Sequence, residues 1–309
     1  MISSRMPLVI LAYHGLVENL SVVLDDFCFV TPSKMVSDLR LVRSLGWQFI
    51  SLREGILGLQ NGGLTKPSVA VTFDDGFLSV LSLGLDLLRE ANCKATVFVP
   101  SGVALEQNVL WFVRVISLLK GTQKSDFNFL GRPINVGDHD SRVKANRLIQ
   151  RTLKGLHPAA IQNVLEQMRV SLGLETEVLP VDVKTMSLKD CRDALDSGFI
   201  DFGAHSATHA IHSQLHAAEL RAEIKESISF LKLIIPDLEY LYAYPNGRKQ
   251  DFGPRCSGVL AEHNIHCALT TIPGWNYSFK NRYAIRRFPM GQDTDLRKCL
   301  SRWRWQMVW

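Results

Sequence analysis

Short, continuous apolar runs recur along the N-terminal third of the chain, and helical patterns separate them. The runs span 7–13, 47–52, 67–76 and 94–102, and each has the length and composition of a strand buried on both faces. A helix is predicted after the first run, with Thr31 or Ser33 as its cap and Gly46 as its stop. A second helix is predicted over 79–90. Strands that alternate with helices in this order predict a parallel sheet or barrel.

The alternation is interrupted between residues 103 and 185. Helical patterns at 109–119 and 157–174 flank a polar stretch of weak periodicity there. We interpret 103–185 as a mostly helical insertion in one domain that spans 1–309, and a separate small domain is the alternative. The alternation then resumes, with predicted helices at 187–198, 217–234 and about 254–264 and predicted strands at 199–205, 238–247, 266–271 and near 283–288.

The composition is that of an ordinary globular protein. Of the 309 residues, 46% are hydrophobic and 21% are charged, and no apolar stretch approaches the roughly 20 residues that span a bilayer. The net charge of +5 is small and the basic residues are scattered along the sequence, so we expect no nucleic-acid partner. The six cysteines form no CxxC pair and are expected to be reduced. Together with the lack of a secretory signal at the N-terminus, they favour a cytoplasmic protein.

The C-terminal tail alternates arginine with tryptophan over 301–309 (SRWRWQMVW). We favour a segment that packs on the barrel or on another subunit. Indole rings and cationic side chains also suit a membrane interface, so the alternative is a peripheral contact at the inner face of the cytoplasmic membrane. The sequence leaves the oligomeric state open.

Polar residues cluster at the ends of three predicted strands. They are TFDDG at 72–76, HSATH at 205–209 and YPNG at 244–247. The C-terminal ends of the strands in a parallel barrel face one rim, so we expect the three segments to meet there.

The residue types in these segments suit a divalent cation. His205 and His209 are four positions apart, so both imidazoles can face one point on a helical turn or a tight loop. Two imidazoles and one carboxylate form the protein ligand set of a catalytic zinc site that keeps one position open for water. Asp74 and Asp75 are adjacent. The twist at a strand end can bring one of them to the metal and the other beside the water, whose proton it then takes.

These segments resemble the motifs of the polysaccharide deacetylase family, also called NodB-homology proteins or family 4 carbohydrate esterases. An aromatic-Pro-x-Gly turn follows TFDDG and HSATH, as in that family. LAYHG, KATVFVPSG and SGFIDFGAHSATH resemble its branch acting on bacterial exopolysaccharides and surface glycans, and the likeness covers about 1–102 and 186–290. The resemblance implies an α/β fold, a distorted (β/α)7 barrel, that removes N-acetyl groups from aminosugars.

The resemblance also implies roles for individual residues. Asp74 is the general base, and Asp75, His205 and His209 hold one divalent metal, for which Zn²⁺ is our first choice and Co²⁺, Ni²⁺ or Mn²⁺ are alternatives. Water activated by the metal and by Asp74 attacks the acetamide carbonyl. The metal and the backbone N–H of Asn246 stabilise the oxyanion.

Two aromatic residues are candidates for substrate binding. Tyr244 lies in the same turn as Asn246. Trp275, with Tyr277 close by, lies in a Gly-Pro-rich loop that we expect near the rim, where an indole can stack on a sugar. Trp111 and Phe112 are interpreted as part of a buried apolar helix rather than a sugar subsite.

The chain departs from the family pattern at two positions. Many members have an arginine in the third motif that pairs with the base, and Ala243 stands there instead. Arg287 is the best substitute, because a guanidinium near Asp74 keeps that carboxylate ionised and oriented. Many members also use a late histidine that protonates the leaving amine, and no histidine follows His266. His14 is the candidate for this acid, unless Asp74 returns the proton itself.

Three functions fit these observations. The first is hydrolysis of an N-acetyl group on the aminosugars of a bacterial surface polysaccharide or of its lipid-linked precursor. The second is another amide hydrolysis in the same fold, such as deformylation of a lipid-linked aminosugar. The third is a non-catalytic glycan-binding protein, which the missing arginine and histidine would explain.

Overall fold

The strands and helices of the computed structural model follow the apolar periodicity of the sequence. The structure describes residues 6–24, 28–106, 109–176, 183–236 and 239–301. The strands are β1 (Leu8–Tyr13), β2 (Gly15–Leu16), β3 (Phe29–Val30), β4 (Gln48–Phe49), β5 (Ser68–Phe73), β6 (Ala95–Val99), β7 (Asp126–Phe129), β8 (Arg132–Asn135), β9 (Ile200–Ala204), β10 (Tyr240–Ala243), β11 (Ile265–Leu269) and β12 (Phe288–Pro289). The helices are α1 (Pro32–Ser44), α2 (Leu52–Gln60), α3 (Leu85–Glu90), α4 (Ser101–Glu106), α5 (Trp111–Gly121), α6 (His139–Leu153), α7 (Pro158–Ser171), α8 (Leu188–Asp196), α9 (Ala217–Lys232), α10 (Pro254–Glu262) and α11 (Leu296–Ser301). Short helical turns of other types occupy Leu20–Val22, Val80–Gly84 and His212–Gln214.

The central sheet is parallel and curled. Its strand order is β11-β10-β9-β6-β5-β1-β12, and β4 pairs with the first residues of β5. β1 and β5 are buried along their whole length, as their continuous apolar runs predict. Ile285, just before β12, forms a parallel bridge with Leu269 at the end of β11, so this segment connects the two edges of the sheet. The predicted distorted (β/α)7 barrel is therefore confirmed.

Apolar side chains cover both faces of the sheet. Inside the barrel, Ile10, Ala70 and Phe98 belong to one buried cluster, and a larger cluster joins the outer face to the helices. Successive residues of a strand face opposite sides of a sheet. Ala70, Thr72 and Asp74 therefore share the interior side and lead from the barrel core to its C-terminal rim.

The region between β6 and α8 contains α4 to α7 and the antiparallel hairpin of β7 and β8. It has its own apolar cluster, to which α5, α6 and α7 all contribute. The hairpin and the 15-residue helix α6 occupy the polar stretch in which no element was predicted. The sequence pattern hid α6 because few apolar residues, Ala145, Ile149 and Leu153, form its buried side.

Other segments differ from the sequence prediction at their ends. The run at 47–52 gives only the two-residue β4, because Ser51 caps α2 and Glu54 completes its capping box. The strand predicted near 283–288 is reduced to β12. Residues 302–309, which carry the proposed membrane contact of the tail, lie outside the described residues. In the described part of the chain, no helix combines the length and the hydropathy that a membrane crossing requires.

Candidate active site

Loops that follow two strands on either side of β6 bring together, at the C-terminal rim, three side chains that could hold a metal ion. Asp75 follows β5, and His205 and His209 follow β9; all three are buried. Asp75 Oδ1 lies 3.4 Å from His205 Nε2 and 3.1 Å from His209 Nε2. One ligand atom from each residue lies within 4.8 Å of the other two. Asn246, from the loop after β10, lines one cavity together with these three side chains.

The backbone around these residues is left-handed at four non-glycine positions. The φ angles are 70° at Asp75, 61° at Ser206, 58° at His209 and 59° at Asn246. Such conformations are unfavourable for residues with a Cβ, and they cluster where function requires a particular side-chain direction. The turn at Asp75 explains how two adjacent aspartates line one cavity, although they would face opposite sides on an extended strand.

Neighbouring groups hold the histidine loop in place. His205 Nδ1 donates a hydrogen bond to the backbone carbonyl of Ala243 at 2.8 Å, so the lone pair of Nε2 faces Asp75. The Glu223 carboxylate accepts hydrogen bonds from the backbone N–H groups of Ala207 and Thr208, at 2.8 and 2.9 Å, and from the Thr208 hydroxyl at 2.7 Å. These contacts fix the direction of the imidazoles before any ligand binds.

The three side chains fit a divalent cation on their own chemistry. Asp75 Oδ1 is buried and accepts no hydrogen bond from the described residues, although two imidazole nitrogens face it. Burial raises the pKa of the Asp75 carboxyl, but the facing His209 and His205 outweigh it and hold this pKa well below its ordinary value. Burial lowers the pKa of His209; burial also acts against protonation of His205, but Asp74 and Asp75 outweigh it and raise the pKa of that imidazole. An ionised carboxylate and neutral imidazoles are the states that bind a metal.

Asp74 forms a buried ion pair with Arg287. The guanidinium donates to Asp74 Oδ1 at 2.6 Å and to Oδ2 at 2.7 Å, and it also donates to the carbonyl of Thr270 and the hydroxyl of Thr72. It lies 5.5 Å from the ring centroid of Phe98 in the barrel interior. Burial raises the pKa of Asp74, but Arg287 more than offsets this effect, so the pKa lies below its ordinary value. Asp74 is therefore a carboxylate held in one orientation.

A cavity of about 100 Å³ contains both groups. Asp74, Asp75, both histidines, His14 and Asn246 line it, together with Cys28, Phe112, Gln150, Lys154, Arg248 and Thr271. The Asn246 amide nitrogen is buried and has no hydrogen-bond partner among the described residues, so a donor remains for a bound group. The volume admits a small polar group such as an amide, while the rest of a glycan has to lie outside it.

The sequence model of the polysaccharide deacetylase family matches residues 61–132 and 159–268 of this chain. The chain belongs to this family. No curated protein sequence matches the chain significantly. The matched residues include both aspartates, both histidines and the turn at Asn246, all of which line the cavity.

Solved structures of family members share the fold at low sequence identity. Deacetylase PplD of Streptococcus pyogenes, solved in complex with acetate, is 16% identical with a TM-score of 0.64 over 96% of this chain and 98% of its own. IcaB of Ammonifex degensii is 17% identical with a TM-score of 0.60 over 93% of both chains. A de-N-acetylase of Aggregatibacter actinomycetemcomitans is 13% identical with a TM-score of 0.59 over 95% of this chain and 100% of its own. At these identities the likeness shows the fold.

Two residues expected to bind substrate lie away from the cavity, and the structure corrects both expectations. Tyr244 is buried in the core: its ring stacks on Phe252 at 4.2 Å, and its hydroxyl donates to the carbonyl of Tyr283. Trp275 lies at the other end of the barrel, because its neighbour Asn276 pairs with Leu8 at the start of β1. Its indole N–H donates to the carbonyl of Cys299, so the ring packs on the core and not on the rim.

Sequence reasoning missed several residues that line or support the site. Gln150 lies on α6 and Lys154 follows its last residue, and the sequence pattern predicted no helix in this region. Arg248 directly follows the YPNG turn, and that position was the available signal for it. Glu223 lies 14 positions beyond His209 on α9, and nothing in the sequence pattern pointed to its contact with the histidine loop. Phe112 is buried, as expected, but its ring also lies 5.5 Å from that of His209.

Proposed function

We propose that this protein is a metal-dependent hydrolase that removes N-acetyl groups from the aminosugars of a bacterial surface polysaccharide or of its lipid-linked precursor. Membership of the polysaccharide deacetylase family supports the class of reaction. The observation that carries the proposal is that one cavity is lined both by the Asp75–His205–His209 group and by Asp74, whose carboxylate is held by Arg287.

The residues divide into a metal group and a proton-transfer group. Asp75, His205 and His209 hold the cation, for which Zn²⁺ fits the two-imidazole, one-carboxylate set. The bound cation supplies positive charge that makes water acidic and polarises a carbonyl oxygen. Asp74 accepts the proton of the attacking water, because each of its oxygens keeps a lone pair beside the bond from Arg287. Arg287 keeps this base ionised and fixed.

Two further residues complete the proposed chemistry. Asn246 offers its backbone N–H, as the family resemblance implies, and its buried amide nitrogen as donors to the developing oxyanion. His14, which lines the cavity from the end of β1, is the proposed acid for the leaving amine, with return of the proton from Asp74 as the alternative. The expected cytoplasmic location stays a prediction, and the six free cysteines are consistent with a reducing compartment.

Hydrolysis of an N-formyl group is the second candidate. The cavity of about 100 Å³ admits a formamide as well as an acetamide, so its size does not separate the two. The two activities are distinguished by assaying one aminosugar in its N-acetyl and its N-formyl form and measuring whether acetate or formate is released.

The deciding experiment is a deacylation assay of the zinc-loaded protein on a panel of N-acetylated glycans. We expect acetate release, and we expect Asp74→Asn to reduce kcat by about 10²- to 10⁴-fold while zinc stays bound, because the substitution removes the proton acceptor and leaves all three metal-group side chains unchanged. Normal activity of Asp74→Asn excludes this mechanism. Glycan binding without release of acetate or formate from any substrate favours a non-catalytic glycan-binding protein.

A further inference from the structure

A second, larger cavity adjoins the proposed active site. It has a volume of about 720 Å³ and lies between α6 and the loops that follow β9 and β10. Gln150, Lys154 and Arg248 line both this cavity and the catalytic one. The two spaces are therefore adjacent parts of one cleft, and a volume in the range of small-molecule sites is available beside the reacting group.

We call this larger cavity the basic groove, because four cationic side chains are among the residues that line it. Arg147, Arg151 and Lys154 lie four and three positions apart, on one face of α6 and at its C-terminal end, and Arg248 faces them from the loop after β10. Asp251 is the one acidic residue among those that line the groove in the described part of the chain. Its carboxylate already accepts a hydrogen bond from the backbone N–H of Arg248 at 2.9 Å.

Helix stability does not account for this arrangement. Cations near a helix C-terminus stabilise the helix, which explains the positions of Arg151 and Lys154. Like charges at the spacing of Arg147 and Arg151 are unfavourable, however, and Arg248 belongs to a different element. Arg151 on α6 and Arg248 on the loop after β10 therefore bring guanidinium groups to one cleft from two elements, and such a pair favours an anion there.

We propose that the basic groove binds an anionic group of the substrate, a phosphoryl group or a sugar carboxylate, next to the residue whose N-acetyl group occupies the catalytic cavity. Planar guanidinium groups match the oxygens of both anions, and Arg248 lines the catalytic cavity as well as the basic groove. The inference rests on the proposed function for the position of the reacting group. It narrows the proposed substrate class from N-acetylated glycans in general to those that carry an anionic group beside the reacting sugar.

The test compares three oligosaccharides of equal length that carry the same N-acetylated aminosugar: one neutral, one with a neighbouring uronic acid and one with a diphosphate at its reducing end. Affinities are measured by calorimetry on the zinc-loaded Asp74→Asn protein. They are measured again after adding Arg151→Gln and Arg248→Gln together, and after adding Arg132→Gln as the matched control. Arg132 is an exposed arginine of β8 outside the groove. The wild-type protein is titrated in parallel with the same oligosaccharides lacking the N-acetyl group, so the comparison does not depend on the folding of Asp74→Asn.

We expect at least one acidic oligosaccharide to bind about tenfold more tightly than the neutral one, since a charge-assisted contact contributes this much. The double substitution abolishes this preference, the control keeps it, and added salt weakens it. The favoured acid identifies the carboxylate or the phosphoryl source. Equal affinities for acidic and neutral ligands, or a preference that survives the double substitution, overturn the inference. Failure of the proposed function is a separate result, namely no acid release by the wild-type protein, and it leaves the binding comparison decisive.

Discussion

Arg287 donates hydrogen bonds to both carboxylate oxygens of Asp74, although 213 positions separate the two residues in sequence. Many members of the family supply this arginine from the third motif, where this chain has Ala243. Ala243 belongs to the interior cluster of the barrel, and Arg287 reaches the interior from the segment that precedes β12. The barrel thus receives the same charge from the segment before β12 and not from the end of β10.

The free energy of unfolding tests whether the two residues act as a pair. Arg287→Met leaves the Asp74 carboxylate buried without its partner, which costs about 3–5 kcal/mol in comparable pairs. Adding Asp74→Asn removes the unpaired charge, so the double variant is expected to be more stable than Arg287→Met alone. Urea unfolding of the zinc-loaded proteins measures both. Additive losses would mean that the two side chains stabilise the fold independently.

Metal binding is expected to depend on the three converging side chains. Asp75→Asn and His209→Gln each remove a ligand, and we expect zinc affinity to fall by more than the roughly 10- to 100-fold that loss of an outer partner causes. His139→Gln is the matched control, because His139 is exposed at the start of α6. Chelation is expected to lower the free energy of unfolding by about 2.7 kcal/mol relative to protein held at a hundredfold excess over the dissociation constant. Equal zinc content in all these proteins would rule out the site.

Glu223 is expected to control zinc affinity without touching the metal group. Its carboxylate binds two backbone N–H groups and the Thr208 hydroxyl of the histidine loop. Glu223→Ala removes all three contacts and is expected to weaken zinc binding about 10- to 100-fold. Glu223→Gln is expected to restore most of the affinity, because the amide oxygen can accept the two N–H bonds and its NH₂ can donate to the hydroxyl. Glu226→Ala, an exposed position on the same helix, is the control. A Gln variant as weak as the Ala variant would show that the negative charge, and not the hydrogen bonds, matters.

His212 is expected to make the fold sensitive to acid. Burial lowers the pKa of His212 from its ordinary value of 6.5 to about 4. Below pH 6.5 the unfolded chain binds a proton that the folded chain excludes, so stability falls as the pH falls through this window. The loss amounts to about 3 kcal/mol between pH 6.5 and 4, with roughly 2 kcal/mol lost by pH 5.

The slope of stability against pH checks this expectation. His212→Phe removes the titrating group and is expected to flatten the slope between pH 6.5 and 5. Tyr242→Phe removes only the hydroxyl that contacts His212 Nε2 at 2.8 Å, so it is expected to keep the slope at a lower overall stability. Parallel curves for wild type and His212→Phe would assign the acid sensitivity to other groups.

The sequence predicted the parts of the site that depend on strand ends. β1 and β5 follow from unbroken apolar runs, and in a parallel barrel the residues after such strands meet at one rim. This rule is sufficient to bring Asp75 close to His205 and His209. The departure from the family's third motif, with Ala243 in place of an arginine, made Arg287 the candidate partner of Asp74, and the two side chains form hydrogen bonds in the structure.

The sequence could not predict what depends on the path of loops. Trp275 was expected at the rim, but a loop after β11 can return along either end of the barrel, and the pairing of Asn276 with Leu8 decides for the far end. The sequence likewise showed no sign that the cationic residues of the basic groove lie together. Arg147 and Arg248 are 101 positions apart in sequence and share one groove only because α6 packs beside the loop after β10.

The position of Arg287 on the segment that joins the two edges of the sheet couples chemistry to assembly. During synthesis Asp74 emerges early, but the guanidinium that neutralises it arrives only with the last strand. Without this last segment the Asp74 carboxylate would lack its partner, and burying an unpaired carboxylate is costly. The contact that closes the sheet therefore also sets the charge and the orientation of the proposed base.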